Sequence, residues 1–278
     1  MLTQDQASDI FDRIRKFSTA DEVEVLFSGG RFALTRFANN TIHQNVEDEN
    51  HIVSVRTAFD GRTARATTNK FDDASLRRVV ESSEALARVQ LPDPDLLPMP
   101  DAREAEGNAD NVPAPARYFE QTAAITPQLR AAGVKKIVDV AQKHKLTSAG
   151  IYSSSKSVEG IFNSRGLNQW HTQTLAEVSI SMLGADSSGW QKANSPDITN
   201  LDPLGMAEIA AKKAGDAAHP AEIPPGKYTV ILEPSAALDI VGFMFWDYSG
   251  IAILDQRSFL TGRIGSKLFG ENITIWDD

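Results

Sequence analysis

Val53-Ser54-Val55-Arg56-Thr57 and Val178-Ser179-Ile180-Ser181-Met182 read as one half-buried strand written twice, about 125 residues apart. In both, apolar or β-branched residues take alternate positions, the period of a strand with one face toward a core. The match runs without a gap from Val23 to Asn69 against Ser148 to Asn194, and it pairs Ser28 with Ser153, Phe37 with Phe162, Gln44 with Gln169 and Asn69 with Asn194. A repeat at fixed offset governs the reading of everything around it. Two copies are too few for a solenoid. The fold class is therefore α+β: an antiparallel sheet with helices from a duplicated helix, strands, helix unit.

The flanking residues fill in that unit. Thr3 with Gln6 is a capping-box pattern ahead of the apolar stripe Ile10, Phe11, Ile14 and Phe17. Glu22 to Ser28, Arg31 to Ala38 and His51 to Asp60 read as strands, separated by the turn signals Gly29-Gly30 and Asp60-Gly61. Asp72-Asp73 caps a helix with inner face Leu76, Val79, Val80 and Ala87. The second copy opens with a helix carrying Val134, Ile137, Val138 and Ala141. It closes with one that starts at Asp202-Pro203 and is read to bury Met206, Ile209 and Ala210.

These elements give residues 1–222 as one domain, with repeat units 1–90 and 130–218. The linker 91–129 between them is rich in proline and acid, from Pro92-Asp93-Pro94 to Pro113 and Pro115. Residues 223–278 read as the beginning of a second, β-rich domain, with strands at Lys227 to Leu232 and at Ile273-Thr274-Ile275. So dense an apolar segment needs more chain to close over it, so the sequence reads as the front part of a longer architecture.

Composition excludes several functions. The 278 residues contain no cysteine, which removes disulfides, thiolate metal sites and cysteine nucleophiles. A net charge of -9 argues against an extended phosphate-binding surface, and the basic pairs Arg77-Arg78 and Lys212-Lys213 read as solvated helix faces. No apolar run is long enough to span a membrane, and Met1 to Gln6 has no signal-peptide character, so a cytoplasmic location is expected.

Arg36-Phe37-Ala38-Asn39-Asn40-Thr41-Ile42-His43-Gln44 and the Asp60-Gly61-Arg62 turn leading to Thr68-Asn69 resemble the first domain of the TldD/PmbA metallopeptidase family, also called modulators of DNA gyrase. Val230-Ile231-Leu232-Glu233-Pro234, Arg257-Ser258-Phe259-Leu260 and Ile273-Thr274-Ile275-Trp276-Asp277-Asp278 resemble its later part. The resemblance implies His-Glu-x-x-x-His on a helix of the active subunit. There, two imidazoles one turn apart hold Zn²⁺ and the glutamate takes a proton from the bound water. Here the corresponding stretch is Leu238-Asp239-Ile240-Val241-Gly242-Phe243-Met244-Phe245, with neither histidine nor glutamate. That departure resembles the PmbA or TldE side of the family.

What the resemblance then implies is a metal-free, non-catalytic subunit with no cofactor of its own, zinc being expected only in a TldD-type partner. Its partners would be that zinc subunit or a second copy, together with an unfolded peptide substrate. The family associations are maturation of small modified peptides, antitoxin degradation and an indirect link to gyrase. No direct nucleic-acid or membrane partner is expected. The alternatives are a stand-alone peptide-binding or structural protein, or an inactive truncated member.

No other motif carries chemistry. His43, His51, His144, His171 and His219 are too scattered for a helical ligand pair, so no metal or catalytic residue is assigned. Gly262 to Lys267 lacks Gly-Lys-Ser/Thr in order, which rules out a phosphate loop. Asp277-Asp278 reads as a solvated terminus, and Asn39-Asn40-Thr41 and Asn272-Ile273-Thr274 as glycosylation patterns without a route to that machinery. One candidate remains. Asn39 and Asn40, with Asn163 and Arg165, repeat a polar corner after a buried aromatic. This corner reads either as turn chemistry or as a rim that hydrogen-bonds an extended peptide.

Overall fold

The computed structural model describes residues 1–102 and 115–276. Pro113 and Asp277-Asp278 lie outside the described residues. The chain forms two compact units, Met1–Ala221 and Glu222–Asp278.

The first unit is the repeat made physical. Helix α1 (Gln4–Phe17) starts on the expected capping box, in which Thr3 Oγ1 accepts from the Gln6 N–H at 3.3 Å and Gln6 Oε1 from the Thr3 N–H at 3.0 Å. Strands β1 (Glu22–Ala38), β2 (Thr41–Phe59) and β3 (Arg62–Thr68) follow, then α2 (Asp73–Arg88). After the short α3 (Glu120–Ala123), the order recurs as α4 (Pro127–Lys143), β4 (Thr147–Asn163), β5 (Asn168–Leu183), β6 (Ser188–Ser195) and α5 (Pro203–Asp216). Proline at the first turn of α4 and α5, behind Thr126 and Asp202 as caps, starts both helices of the second copy.

All six strands form one antiparallel sheet in the order β3-β2-β1-β4-β5-β6. The two copies therefore meet at β1 and β4, which pair along nearly their whole length, from Glu24 with Asn163 to Phe37 with Gly150. At the middle of this seam Arg31 pairs with Lys156, its own equivalent in the repeat, so a pseudo-two-fold axis passes through the pair.

Long antiparallel pairing has a consequence for the core. The far end of each central strand runs beneath the helices of the other copy. Phe37, from the first copy, is buried among Val134, Ile137, Tyr152 and Ile180 of the second. Phe162, its equivalent, is buried among Ile10, Val25, Phe27 and Val80 of the first, with its ring centroid 5.3 Å from that of Phe27. Val25, Phe27 and Phe37 share one face of β1, so both helix pairs cover that same face. Gly150 makes the exchange possible, because a Cβ there would lie 2.7 Å from Phe37 Cζ.

Some elements differ from the sequence reading. Gly29-Gly30 is not a turn: β1 runs straight through it at φ 148° and 158°. Side chains there would lie 2.2 Å from the Asn50 carbonyl and 2.1 Å from that of Lys156, so glycine is required by the closeness of both neighbouring strands. β2 begins ten residues before the expected His51, because Thr41 to Asn50 is exposed and mostly polar, and Ile42 and Val46 alone are too sparse to mark a strand. On α5, Met206 and Ala210 are buried as expected, but Ile209 is 47% exposed, on the solvent side of the turn.

The second unit contains α6 (Pro234–Phe245), a short 3₁₀ turn and α7 (Gly250–Leu254). Its described residues include no strand. The run Lys227 to Leu232 has no ladder partner, and a strand exists only through its pairing. No residue of α6 is buried, and Phe243 is 77% exposed.

Candidate functional site

The four long helices take one face of the sheet and leave the other open. Along β1 this open face carries Glu24, Leu26, Ser28, Gly30 and Phe32; their partners on β4 are Asn163, Ile161, Glu159, Ser157 and Ser155. Small residues at the seam let the floor sink between larger neighbours. A groove of about 620 Å³ lies over Leu26, Ser28, Ser54, Glu159, Gln169 and His171. A second concavity of about 280 Å³ adjoins it at Ser28 and reaches Gly30, Asn50 and Ser157. Leu26 and Ile161 offer apolar contact, Ser28, Ser54, Asn50 and Gln169 offer neutral hydrogen-bonding groups, and Glu159, Arg31, Asp48 and Lys156 add charge of both signs.

One end of the groove is fixed by charge. Glu24, only 5% exposed, holds Arg65 at 2.6 Å and Arg56 at 3.1 Å. Two guanidinium groups on one carboxylate anchor β3 and β2 to β1, and a buried carboxylate persists only when paired in this way.

The polar corners expected as one peptide rim sit at opposite ends of the β1–β4 seam, because antiparallel pairing sends equivalent positions apart. They also hold this chain itself. Asn39 and Asn40 form the β1–β2 turn at φ 51° and 59°; the Asn40 amide donates to the Leu146 carbonyl at 3.1 Å and accepts from the Ser148 N–H at 2.6 Å. Asn163 donates to the Pro100 carbonyl at 2.7 Å and accepts from the Arg165 and Leu167 N–H groups, and Arg165 Nη1 donates to the Met99 carbonyl at 2.6 Å. Among the described residues these bonds fall within the chain itself, at the second corner on Met99-Pro100.

Behind the first hairpin lies a cluster the sequence did not announce. Arg130 of α4 is fully buried, with Nε donating to Thr35 Oγ1 at 3.1 Å and Nη2 to Asn45 Oδ1 at 3.2 Å. Burial pushes the Arg130 guanidinium below its ordinary value and the neighbouring Tyr152 hydroxyl above its own. Glu47 and Arg31 form an ion pair beside them. A lone arginine on an amphipathic helix gives no warning of burial. The groove was equally hidden, although Gly29-Gly30 with the small Ser155 and Ser157 were its available signal.

Among the described residues no cluster of His, Asp and Glu is arranged to hold a metal. On α6, Asp239 is the sole ionisable side chain, so this helix does not fit the zinc ion that the resemblance implies. His144 is bonded to Glu208 at 3.0 Å, and His51 Nε2 accepts the Leu2 N–H at 3.2 Å. No helix is long and apolar enough to cross a membrane, among the described residues.

Sequence profiles of PmbA/TldA metallopeptidase domain 1, central domain and C-terminal domain match residues 23–87, 113–217 and 225–278. An uncharacterised protein of Methanocaldococcus jannaschii is 21% identical over 230 residues, 81% of this chain and 51% of that protein. Among solved structures, a candidate modulator of DNA gyrase from Thermotoga maritima superposes with a TM-score of 0.79 at 19% identity, over 92% of this chain and 59% of that one. A second, from Bacteroides thetaiotaomicron, gives 0.78 at 17% identity, over 96% and 62%. TldE of Thermococcus kodakarensis gives 0.70 at 16% identity, over 92% and 58%. At such identities the structural likeness carries the fold alone. The chain spans about half the length of the curated relative it matches.

Proposed function

The chain belongs to the PmbA/TldD metallopeptidase family, and from that premise we propose that it is a metal-free, TldE-like member acting as the non-catalytic partner in proteolysis or maturation of unfolded peptides. The observation that carries this reading is α6. It lies where the family's C-terminal domain begins, and it presents Leu238, Asp239, Ile240 and Phe243 where zinc ligation needs two imidazoles and a carboxylate one turn apart. The proposed partner is a TldD-type subunit bearing His-Glu-x-x-x-His, or a second copy of this chain, and zinc belongs to the motif-bearing subunit. The open groove supports the peptide side of the reading, because Ser28, Ser54 and Gln169 beside Leu26 and Ile161 can bond and pack against main chain without demanding one sequence.

The test is to mix the purified chain with a motif-bearing relative and follow cleavage of unfolded casein beside the elution volume of the mixture. The reading expects a stable complex that cleaves faster than the relative alone. Unchanged cleavage and separate elution would instead favour the second reading, a stand-alone peptide-binding protein, which the groove supports equally.

A further inference from the structure

The two copies treat the same sheet edge differently. β6 pairs with β5 only from Ala176 onward, and β3 pairs with β2 only from Val53 onward, so the first half of β5 and of β2 each has a side without a strand neighbour. In the second copy the chain covers that side itself: the Thr174 N–H donates to the Arg117 carbonyl at 2.8 Å, and the Phe119 N–H to Thr174 Oγ1 at 3.0 Å. The equivalent of Thr174 in the repeat is Glu49. There, among the described residues, residues 1 and 2 approach, with the Met1 ammonium 3.1 Å from the Glu49 carboxylate, and Thr41 to Asp48 are exposed without exception.

The bond at Thr174 also sets the phase. It shows that the Lys156–Thr174 pair turns the backbone of Thr174 outward, and the repeat places Arg31–Glu49 in the same phase. Alternation along an antiparallel strand then turns the N–H and C=O groups of Asn45, Glu47 and Glu49 outward. This edge is exposed yet held in place: Arg130 braces Asn45, Arg31 pairs with Glu47, and Asn40 fastens the hairpin tip to Ser148. Its side chains Glu47, Asp48 and Glu49 outnumber the two cations that pair with them, Arg31 and the Met1 ammonium, and leave it acidic.

We propose that the outer edge of β2 between Thr41 and Glu49 is a docking site for an extended, lysine- or arginine-rich segment of another polypeptide, which adds to the sheet as a strand. The braced ladder supplies register through main-chain bonds, and the acidic side chains select a basic partner. The site goes beyond the partner role proposed above, since it needs neither a zinc subunit nor cleavage and is measured on this chain alone.

The test uses fluorescence anisotropy with three ten-residue probes: alternating lysine and valine, alternating glutamate and valine, and the lysine peptide with every second backbone nitrogen methylated. The expected result is at least tenfold tighter binding of the unmodified lysine peptide than of either other probe, with slowed amide exchange in 41–49. Glu47→Pro, which removes an outward N–H that β1 does not use, should weaken that binding at least tenfold, while Glu47→Gln weakens it only two- to threefold. Equal binding of the methylated and unmethylated lysine peptides would reduce the contact to charge alone and overturn strand addition. So would binding of neither, in which case the acidic residues serve only to keep the edge from pairing.

Discussion

The two copies of the repeat agree in what they bury and disagree in what they expose. Val53 and Val178 are both fully buried at matching places in two cores, and Phe37 and Phe162 are each lodged in the other copy's core. Yet Glu49 and Thr174 are equally matched and differ: in the first copy the Glu49 side chain meets the N-terminal ammonium, and in the second the Thr174 backbone bonds a chain segment at Arg117. Thr57 bonds Ser83 at 2.9 Å in the first core, where the second has Met182. Duplication has preserved the apolar frame, while the residues that break the symmetry mark where each half acquired its own task.

The exchange of phenylalanines offers the largest test. Phe37→Ala and Phe162→Ala should each destabilise the unit by about 3–5 kcal/mol, as expected for truncating a buried aromatic. In hydrogen exchange, Phe37→Ala should loosen α4 and α5 most, and Phe162→Ala α1 and α2. Loosening confined to each residue's own copy would break the comparison. Arg130→Met comes next: it removes charged bonds to Thr35 and Asn45, and a cost of about 1.5–3 kcal/mol is expected. Faster exchange should appear in the first hairpin and leave β5–β6 unchanged, which a site-resolved experiment can check.

A smaller effect separates the cores by their polarity. Ser83→Ala leaves Thr57 Oγ1 buried without its partner and should cost about 1–3 kcal/mol in chemical unfolding. Adding Thr57→Val should recover most of that loss, since the second copy already runs on an apolar residue there. If the double variant is as unstable as the single one, the polar pair does more than satisfy itself.

The smallest effect is one of pH. Burial holds His51 below the ordinary imidazole value, against the opposing pull of Glu49, so the folded state favours the neutral ring that accepts the Leu2 N–H. A folded pKa below the unfolded one gives stability that is full above about pH 6.5 and is lost as pH falls through the folded value. Melting followed between pH 7.5 and 5 should show this loss, and His51→Gln should flatten it. The second copy, with Ala176 at the equivalent position, has no counterpart.

The frame was legible because burial leaves periodicity in a sequence. The fixed offset gave element order twice over, and the capping box at Thr3 and the caps at Asp72 and Asp202 placed helix starts. Features set by closeness were not legible. Gly29-Gly30 reads as a turn in any single strand, and only the flanking β2 and β4 backbones explain it as a straight strand. The acidic half of β2 has no apolar alternation, so its pairing with β1 could not be foreseen. Asn39, Asn40, Asn163 and Arg165 read as polar corners, but sequence alone could not show that three of the four side chains bond the chain itself.

Glu222–Asp278 differs from both copies in what it buries. It has exposed apolar helices where they have a closed core, and it is here that the functional reading rests, on an α6 without zinc ligands. The most direct measurement is the zinc content of the purified chain by mass spectrometry, read beside its unaided cleavage of an unfolded peptide. The account predicts zinc far below one ion per chain and no cleavage without a motif-bearing partner. Stoichiometric zinc with chelator-sensitive cleavage by this chain alone would contradict it.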